Sequence, residues 1–222
     1  MKNLLKVIIA VAAITCVAST YAFPTLTISA STGGSVTCSD GDPCDANGAT
    51  GAVTFVGTVG IWTLNVDTGL TKPATGSPTN PEMDLSYLAS TRNTSASTLT
   101  ITWSDNGFNG TFNMRDLLGG TQTAGMTVTD FIQVNGVTVM TLGPFTTTSY
   151  AGNTVSFITL TPTDVLTLVM VITKPGSSGT SFTSTGDKNL SSVPDGGSAV
   201  ALLGIALAGI EGARRVFRAR KA

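Results

Sequence analysis

The stretch "MTVTDFIQVNGVTVMTLG", Met126 to Gly143, decides the fold. Two strand-like patterns flank the pair Asn135-Gly136. A tight two-residue hairpin turn needs positive φ at both central positions, and Asn and Gly tolerate it best. The stretch therefore predicts a β-hairpin.

The neighbouring segments agree. In "STLTITWSD" (97–105), Leu99, Ile101 and Trp103 share one face and Thr98, Thr100 and Thr102 the other, the alternation of a half-buried strand. "DVLTLVMVIT" (164–173) is apolar on both faces, which predicts a central strand covered on each side. "TLTISA" (25–30), "AVTFVG" (52–57), "GIWTLNV" (60–66) and "NTVSFITL" (153–160) carry β-branched and aromatic residues between Gly, Pro and Asp breaks. About ten strands separated by polar turns fit an all-β antiparallel β-sandwich or jelly-roll-like domain. "NMRDLLGG" (113–120) reads as a single helical turn stopped by Gly119-Gly120. From Thr173 the chain becomes "TKPGSSGTSFTSTGDKNLSS". Such Ser/Thr/Gly-rich sequence buries little, so 179–192 is expected to be a flexible tether, with "TSF" (180–182) adding at most an edge strand.

Both ends read as processing segments. Lys2 and Lys6 precede an apolar run from Val7 to Val17, and the small-residue stretch "ASTYA" ends at Ala22. That is the pattern of a signal peptide, residues 1–22. The expected division is then a sandwich domain over 23–178, the tether over 179–192 and a C-terminal segment over 193–222.

Composition narrows the function. Residues 23–192 hold eleven acids and five bases, a net charge of −6, and the remaining bases lie in the two ends. An acidic body argues against neutralising nucleic-acid phosphates. The body has two cysteines, Cys38 and Cys44, since Cys16 leaves with the signal peptide. Outside the cytoplasm they are expected to form a disulfide, which closes a short loop.

The chain contains no His. This removes Ser-His-Asp and Cys-His catalysis and His-based zinc sites. No P-loop or dinucleotide fingerprint is present. Glu82 and Asp84 are the one carboxylate pair that could serve a glycoside-active enzyme, but Pro78 and Pro81 place Glu82 in a turn. In "CSDGDPCDANG" (38–48), Asp40, Asp42, Asp45 and Asn47 place four oxygen-bearing side chains close together. Hard oxygen ligands suit Ca²⁺, so the segment is either a calcium site or an Asp/Gly turn. Trp62, Trp103, Tyr87, Phe108 and Phe112 are candidates for a sugar-stacking platform, as in a carbohydrate-binding module. Core packing is the stronger reading for Trp62 and Trp103, while "SDNGFNG" (104–110) reads as a loop that exposes Phe108.

The C-terminal segment has three parts: the motif "VPDGG" (193–197), an apolar helix (198–213) and a basic tail (214–222). The apolar run from Ala199 to Ile210 would make a helix about 18 Å long, against a hydrocarbon core about 30 Å thick. A full span must take in Glu211, whose charge Arg214 and Arg215 can neutralise from the same helical face. Arg218, Arg220 and Lys221 then complete a cytoplasmic stop by the positive-inside rule. The alternative is a short amphipathic packing helix.

This order of parts resembles the PEP-CTERM sorting signal of Gram-negative bacteria, with Asp where the type motif has Glu. Glu211 departs from the uninterrupted apolar run of that signal. The resemblance implies that exosortase, an integral membrane cysteine enzyme, recognises Val193, Pro194, Asp195, Gly196 and Gly197 and removes or transfers the tail. It also implies an inner-membrane intermediate, with Arg214, Arg215, Arg218, Arg220 and Lys221 as membrane stop, before release to the cell surface or extracellular matrix. "GTVGIWTLNVDTGLTKP", "MDLSYLAS" and "TLTITWSD" are similar to segments of a recurrent class of PEP-CTERM exported proteins of unknown activity. That similarity implies a β-rich, non-catalytic surface or matrix protein, with exopolysaccharide as a candidate partner.

Overall fold

The computed structural model describes residues 24–177, 179, 181–193, 203–207 and 210. Twelve strands run in chain order: β1 Thr25–Ala30, β2 Ser35–Ser39, β3 Ala52–Val59, β4 Trp62–Leu70, β5 Glu82–Thr91, β6 Ser97–Asp105, β7 Gly110–Gln122, β8 Thr127–Val134, β9 Val137–Phe145, β10 Ser149–Leu160, β11 Leu166–Lys174 and β12 Phe182–Ser192. They form two six-stranded antiparallel sheets, ordered β2-β1-β6-β11-β8-β9 and β10-β7-β12-β5-β4-β3. The expected sandwich is present.

The β8–β9 hairpin turns at Asn135 (φ 51°) and Gly136 (φ 79°), as the Asn-Gly pair predicts. β6 matches its predicted bounds, and Leu99, Ile101 and Trp103 are fully buried. β11 lies between β6 and β8, central in its sheet as expected; Leu168, Met170 and Ile172 are buried in the core, whereas on its other face Val171 is half-buried and Thr173 exposed, so that face is not fully covered. The two sheets close over a core that includes Leu26, Ile28, Leu64, Leu85, Leu168 and Ile172. Each such side chain contributes about 1.5–3 kcal/mol on burial. Trp62 donates from Nε1 to Ser97 Oγ (3.0 Å), and Trp103 from Nε1 to the Leu70 carbonyl (3.1 Å). Gly69 lies against Trp103, where a Cβ would sit 2.4 Å from the indole.

Two expectations fail. Residues 113–120 do not form a helical turn but run through the middle of β7. Gly120 is not a helix stop. A Cβ there would meet the Thr185 carbonyl at 2.2 Å and Tyr150 Oη at 2.5 Å, so the glycine permits close approach. The expected tether is likewise structured: 182–192 form β12, an interior strand hydrogen-bonded to β5 and β7. Its inward residues are Phe182, Ser184, Gly186, Lys188 and Leu190, all buried. Ser, Gly and Lys break the apolar alternation because they face tyrosine hydroxyls and carboxylates, not hydrocarbon.

Among the described residues, 203–207 and 210 are helical and no helix is long and apolar enough to cross a membrane. The expected signal peptide (1–22), most of the apolar helix (198–213) and the basic tail (214–222) lie outside the described residues.

Candidate functional site

β12 carries the chain from the middle of its sheet straight to the C-terminal motif. Its end is clamped by three hydrogen bonds. The Ser192 N–H donates to the Pro81 carbonyl (3.0 Å), Ser192 Oγ bonds Asn80 Oδ1 (2.6 Å), and the Val193 N–H donates to the Asn113 carbonyl (2.8 Å). Val193 is thus tied to the fold, while Pro194, Asp195, Gly196 and Gly197 lie outside the described residues. The stop residues Arg214, Arg215, Arg218, Arg220 and Lys221 lie outside them too.

The same strand holds a buried polar site. Lys188 of β12 and Asp116 of β7 project from one sheet and meet Asp130 of β8 from the other. All three side chains are fully buried. Lys188 Nζ contacts Asp130 Oδ1 directly, lies 3.9 Å from Asp116 Oδ1 and donates to the Phe131 carbonyl (3.2 Å). Burial pushes the Asp116 carboxyl up to about 8; Lys188 opposes the shift and Asp130 reinforces it. Asp116 therefore holds a proton at neutral pH. Beside this site Tyr87 Oη shares hydrogen bonds with Tyr150 Oη (2.7 Å) and Ser184 Oγ (3.0 Å).

Lys72 and Lys174 are buried as well. Lys72 Nζ lies 2.5 Å from Asp105 Oδ2 and 4.1 Å from the Phe108 ring centroid. Lys174 donates to the Ser95 carbonyl (2.5 Å) and lies 4.8 Å from the Phe182 ring. Every lysine of the 23–192 body is thus internal, which leaves the body surface acidic. Phe108, expected at the surface, is fully buried because it closes the pocket over the Lys72 ammonium. Trp62, Trp103 and Tyr87 are core residues and Phe112 packs against the core, so these aromatics form no exposed platform.

Cys38 and Cys44 form the expected disulfide, with a Cα–Cα distance of 5.8 Å. In and just after the loop it closes, the four side chains weighed for calcium accept backbone N–H groups. Asp42 Oδ2 accepts from Ser39 (2.8 Å), Asp45 Oδ1 from Asn47 (2.8 Å) and Thr54 (2.9 Å), Asp40 Oδ2 from Gly51 (2.7 Å) and Asn47 Oδ1 from Ala49 (3.0 Å). Among the described residues no group of three or more His, Cys, Asp or Glu side chains is gathered for a metal. Asp45 and Asn47 each accept a backbone N–H two residues on, the local bonding of Asx turns, and Asp42 accepts one from three residues back.

Glu82 opens β5 and does not sit in a turn; with Asp84 it shares the outer face of the sheet. Burial pushes Asp84 up to about 6, with Asp187 and then Glu82 adding repulsion against a hydrogen bond from Asn189.

With this geometry in view, the tail is decisive. Residues 192–217 match the VPDSG-CTERM motif. The VPDSG-CTERM match starts on the last residue of β12, and here Gly196 stands where that motif's name has Ser. No curated protein matches the chain. Similar solved structures include the carbohydrate-binding module TmCBM61 in complex with β-1,4-galactotriose (8% identity, 48% of this chain and 71% of that one, TM-score 0.34). Others are the adhesin domain of Epf from Streptococcus pyogenes (14%, 76% and 57%, TM-score 0.37) and a family 35 carbohydrate-binding module from Clostridium thermocellum (13%, 61% and 90%, TM-score 0.28).

Sequence reasoning singled out none of Lys188, Asp116 and Asp130. The available signal was a charge at an inward position of an otherwise apolar strand: Asp130 interrupts the hairpin pattern two residues before Ile132.

Proposed function

We propose that this is an exported surface or extracellular-matrix protein, delivered by its C-terminal signal to a membrane-embedded exosortase and acting without catalysis, as a structural or interaction module. The observation that carries the reading is the VPDSG-CTERM match at 192–217, joined directly to a central strand of a β-sandwich. Val193, Pro194, Asp195, Gly196 and Gly197 form the recognition segment. Its Pro and two Gly are residues that disfavour helix. Arg214, Arg215, Arg218, Arg220 and Lys221 hold the cytoplasmic side until processing. An acidic, Thr- and Ser-rich surface with its lysines internal suits a soluble extracellular position beside exopolysaccharide.

Deleting exosortase in the host tests this. The expected result is a heavier form retained in the membrane fraction. Unchanged mass and location would reject the reading.

A further inference from the structure

We propose that Lys188 and Asp130 condense to an intramolecular isopeptide bond, with Asp116 as the proton-handling group, so that β12 becomes covalently joined to β8 of the opposite sheet. This goes beyond the sorting assignment and does not depend on it.

The geometry carries the argument. An amine, its carboxyl electrophile and a second carboxyl are enclosed together, with no exposed surface on any of the three side chains. Lys188 Nζ is already in contact with the Asp130 carboxyl, the near-attack arrangement that turns a bimolecular encounter into a unimolecular step. Both strands are held by ladders on each side: β12 by β5 and β7, β8 by β11 and β9. The reacting groups therefore cannot drift apart.

The step opens with transfer of one proton from the Lys188 ammonium to Asp130, giving an amine and a carboxylic acid. The neutral amine is the nucleophile. Its lone pair attacks Asp130 Cγ and forms the C–N bond. Asp116 donates its proton to the developing oxyanion; its carboxylate then takes a proton from the attacking nitrogen, passes it to the departing hydroxyl, which leaves as water, and recovers a proton as the amide carbonyl re-forms. One amine and one carboxylic acid give one amide and one water, and no oxidant or other reactant is needed. Asp116 Oδ1 and Oδ2 and Asp130 Oδ2 have no hydrogen-bond partner among the described residues, so no other group competes for them.

Lys72 and Asp105 supply an internal comparison. Asp105 accepts from Thr71 Oγ1 (2.8 Å) and from the Asn106 N–H (2.8 Å) as well as from Lys72. These donors occupy both oxygens and oppose the rise that burial gives the Asp105 carboxyl, whereas Asp130 Oδ2 has no such donor among the described residues, so the Lys72–Asp105 pair is the less suited to condense.

The bond has a mechanical consequence. β12 is the strand that continues into the sorting segment, so any pull on the C-terminus is applied to it first. A link at Lys188 would pass that load to the second sheet.

Peptide mapping of the reduced, denatured full-length protein with trypsin and chymotrypsin together tests the proposal, because trypsin alone leaves Asp130 and Lys188 in one peptide: Lys174 precedes Pro175. The expected result is a branched species joining the chymotryptic peptides that contain Asp130 and Lys188, lighter by one water, with no tryptic cleavage after Lys188 and normal cleavage after Arg92 and Arg115. Separate peptides of full mass, with cleavage after Lys188, would overturn it. A water lost within a linear Asp130 peptide would overturn it too. Lys188→Arg should abolish the branched species. Asp116→Ala, with folding checked by near-UV circular dichroism, should lose most of it; an undiminished branched species in a folded Asp116→Ala protein would remove Asp116 from the mechanism. Should either variant fail to fold, the wild-type map still decides.

Discussion

Gly120 and Gly186 face each other across β7 and β12, and the rings of Tyr87 and Tyr150 occupy the hollow that their missing side chains leave. A Cβ on Gly186 would lie 2.6 Å from the Tyr87 ring and 2.9 Å from Tyr150 Oη. The polar layer between the sheets is thus built on two absent methyl groups. Gly120→Ala and Gly186→Ala should each destabilise the domain by about 1–3 kcal/mol through overpacking. Urea denaturation measures this; an unchanged midpoint in both variants would contradict the packing described.

Asp116 sets a pH dependence. Its carboxyl rises from 3.8 to about 8, first through burial, so between those values the native chain keeps a proton that the unfolded chain releases. Stability from this group is full below 3.8 and is lost as pH rises towards 8. Asp84, raised to about 6, acts with the same sign but only up to that pH. The urea midpoint should therefore fall from pH 6 to pH 8, and Asp116→Asn should flatten that slope. A wild-type midpoint that is level over this window would count against a protonated Asp116.

Phe108 covers the Lys72–Asp105 pair. Phe108→Ala should cost about 3–5 kcal/mol, as large-to-small core changes do. In native protein, amine-reactive reagents should spare Lys72 and Lys174, with labelling read by mass spectrometry after digestion. Rapid labelling of either residue in the folded state would contradict their burial.

The loop closed by Cys38 and Cys44 should behave as a turn. Adding Ca²⁺ or a chelator should leave the thermal midpoint unchanged, because Asp40, Asp42, Asp45 and Asn47 already accept backbone N–H groups. Reducing the disulfide should cost about 2 kcal/mol, the modest figure expected for so short a loop. A calcium-dependent rise in the midpoint would reverse the first expectation.

Legibility followed the physics of each segment. The β8–β9 turn was readable because Asn135-Gly136 states a backbone requirement that neighbours do not alter. β6 was readable because its alternation reports burial on one face. β12 was not, since Ser184, Gly186 and Lys188 look like solvated linker until their partners are known. Phe108 misled for the same reason: its loop is polar, yet a buried ammonium from another loop calls for an aromatic cover.

The sequence alone determined the class of the domain, its disulfide and the character of its C-terminal signal, because turn chemistry, strand alternation and motif order are local properties of the chain. Tertiary structure alone decided that Lys188, Asp116 and Asp130 meet, that β12 is an interior strand and that Phe108 covers the Lys72–Asp105 pair. Those outcomes rest on contacts between residues far apart in sequence, and a charge in a polar segment gains or loses its meaning with the partner that desolvates it.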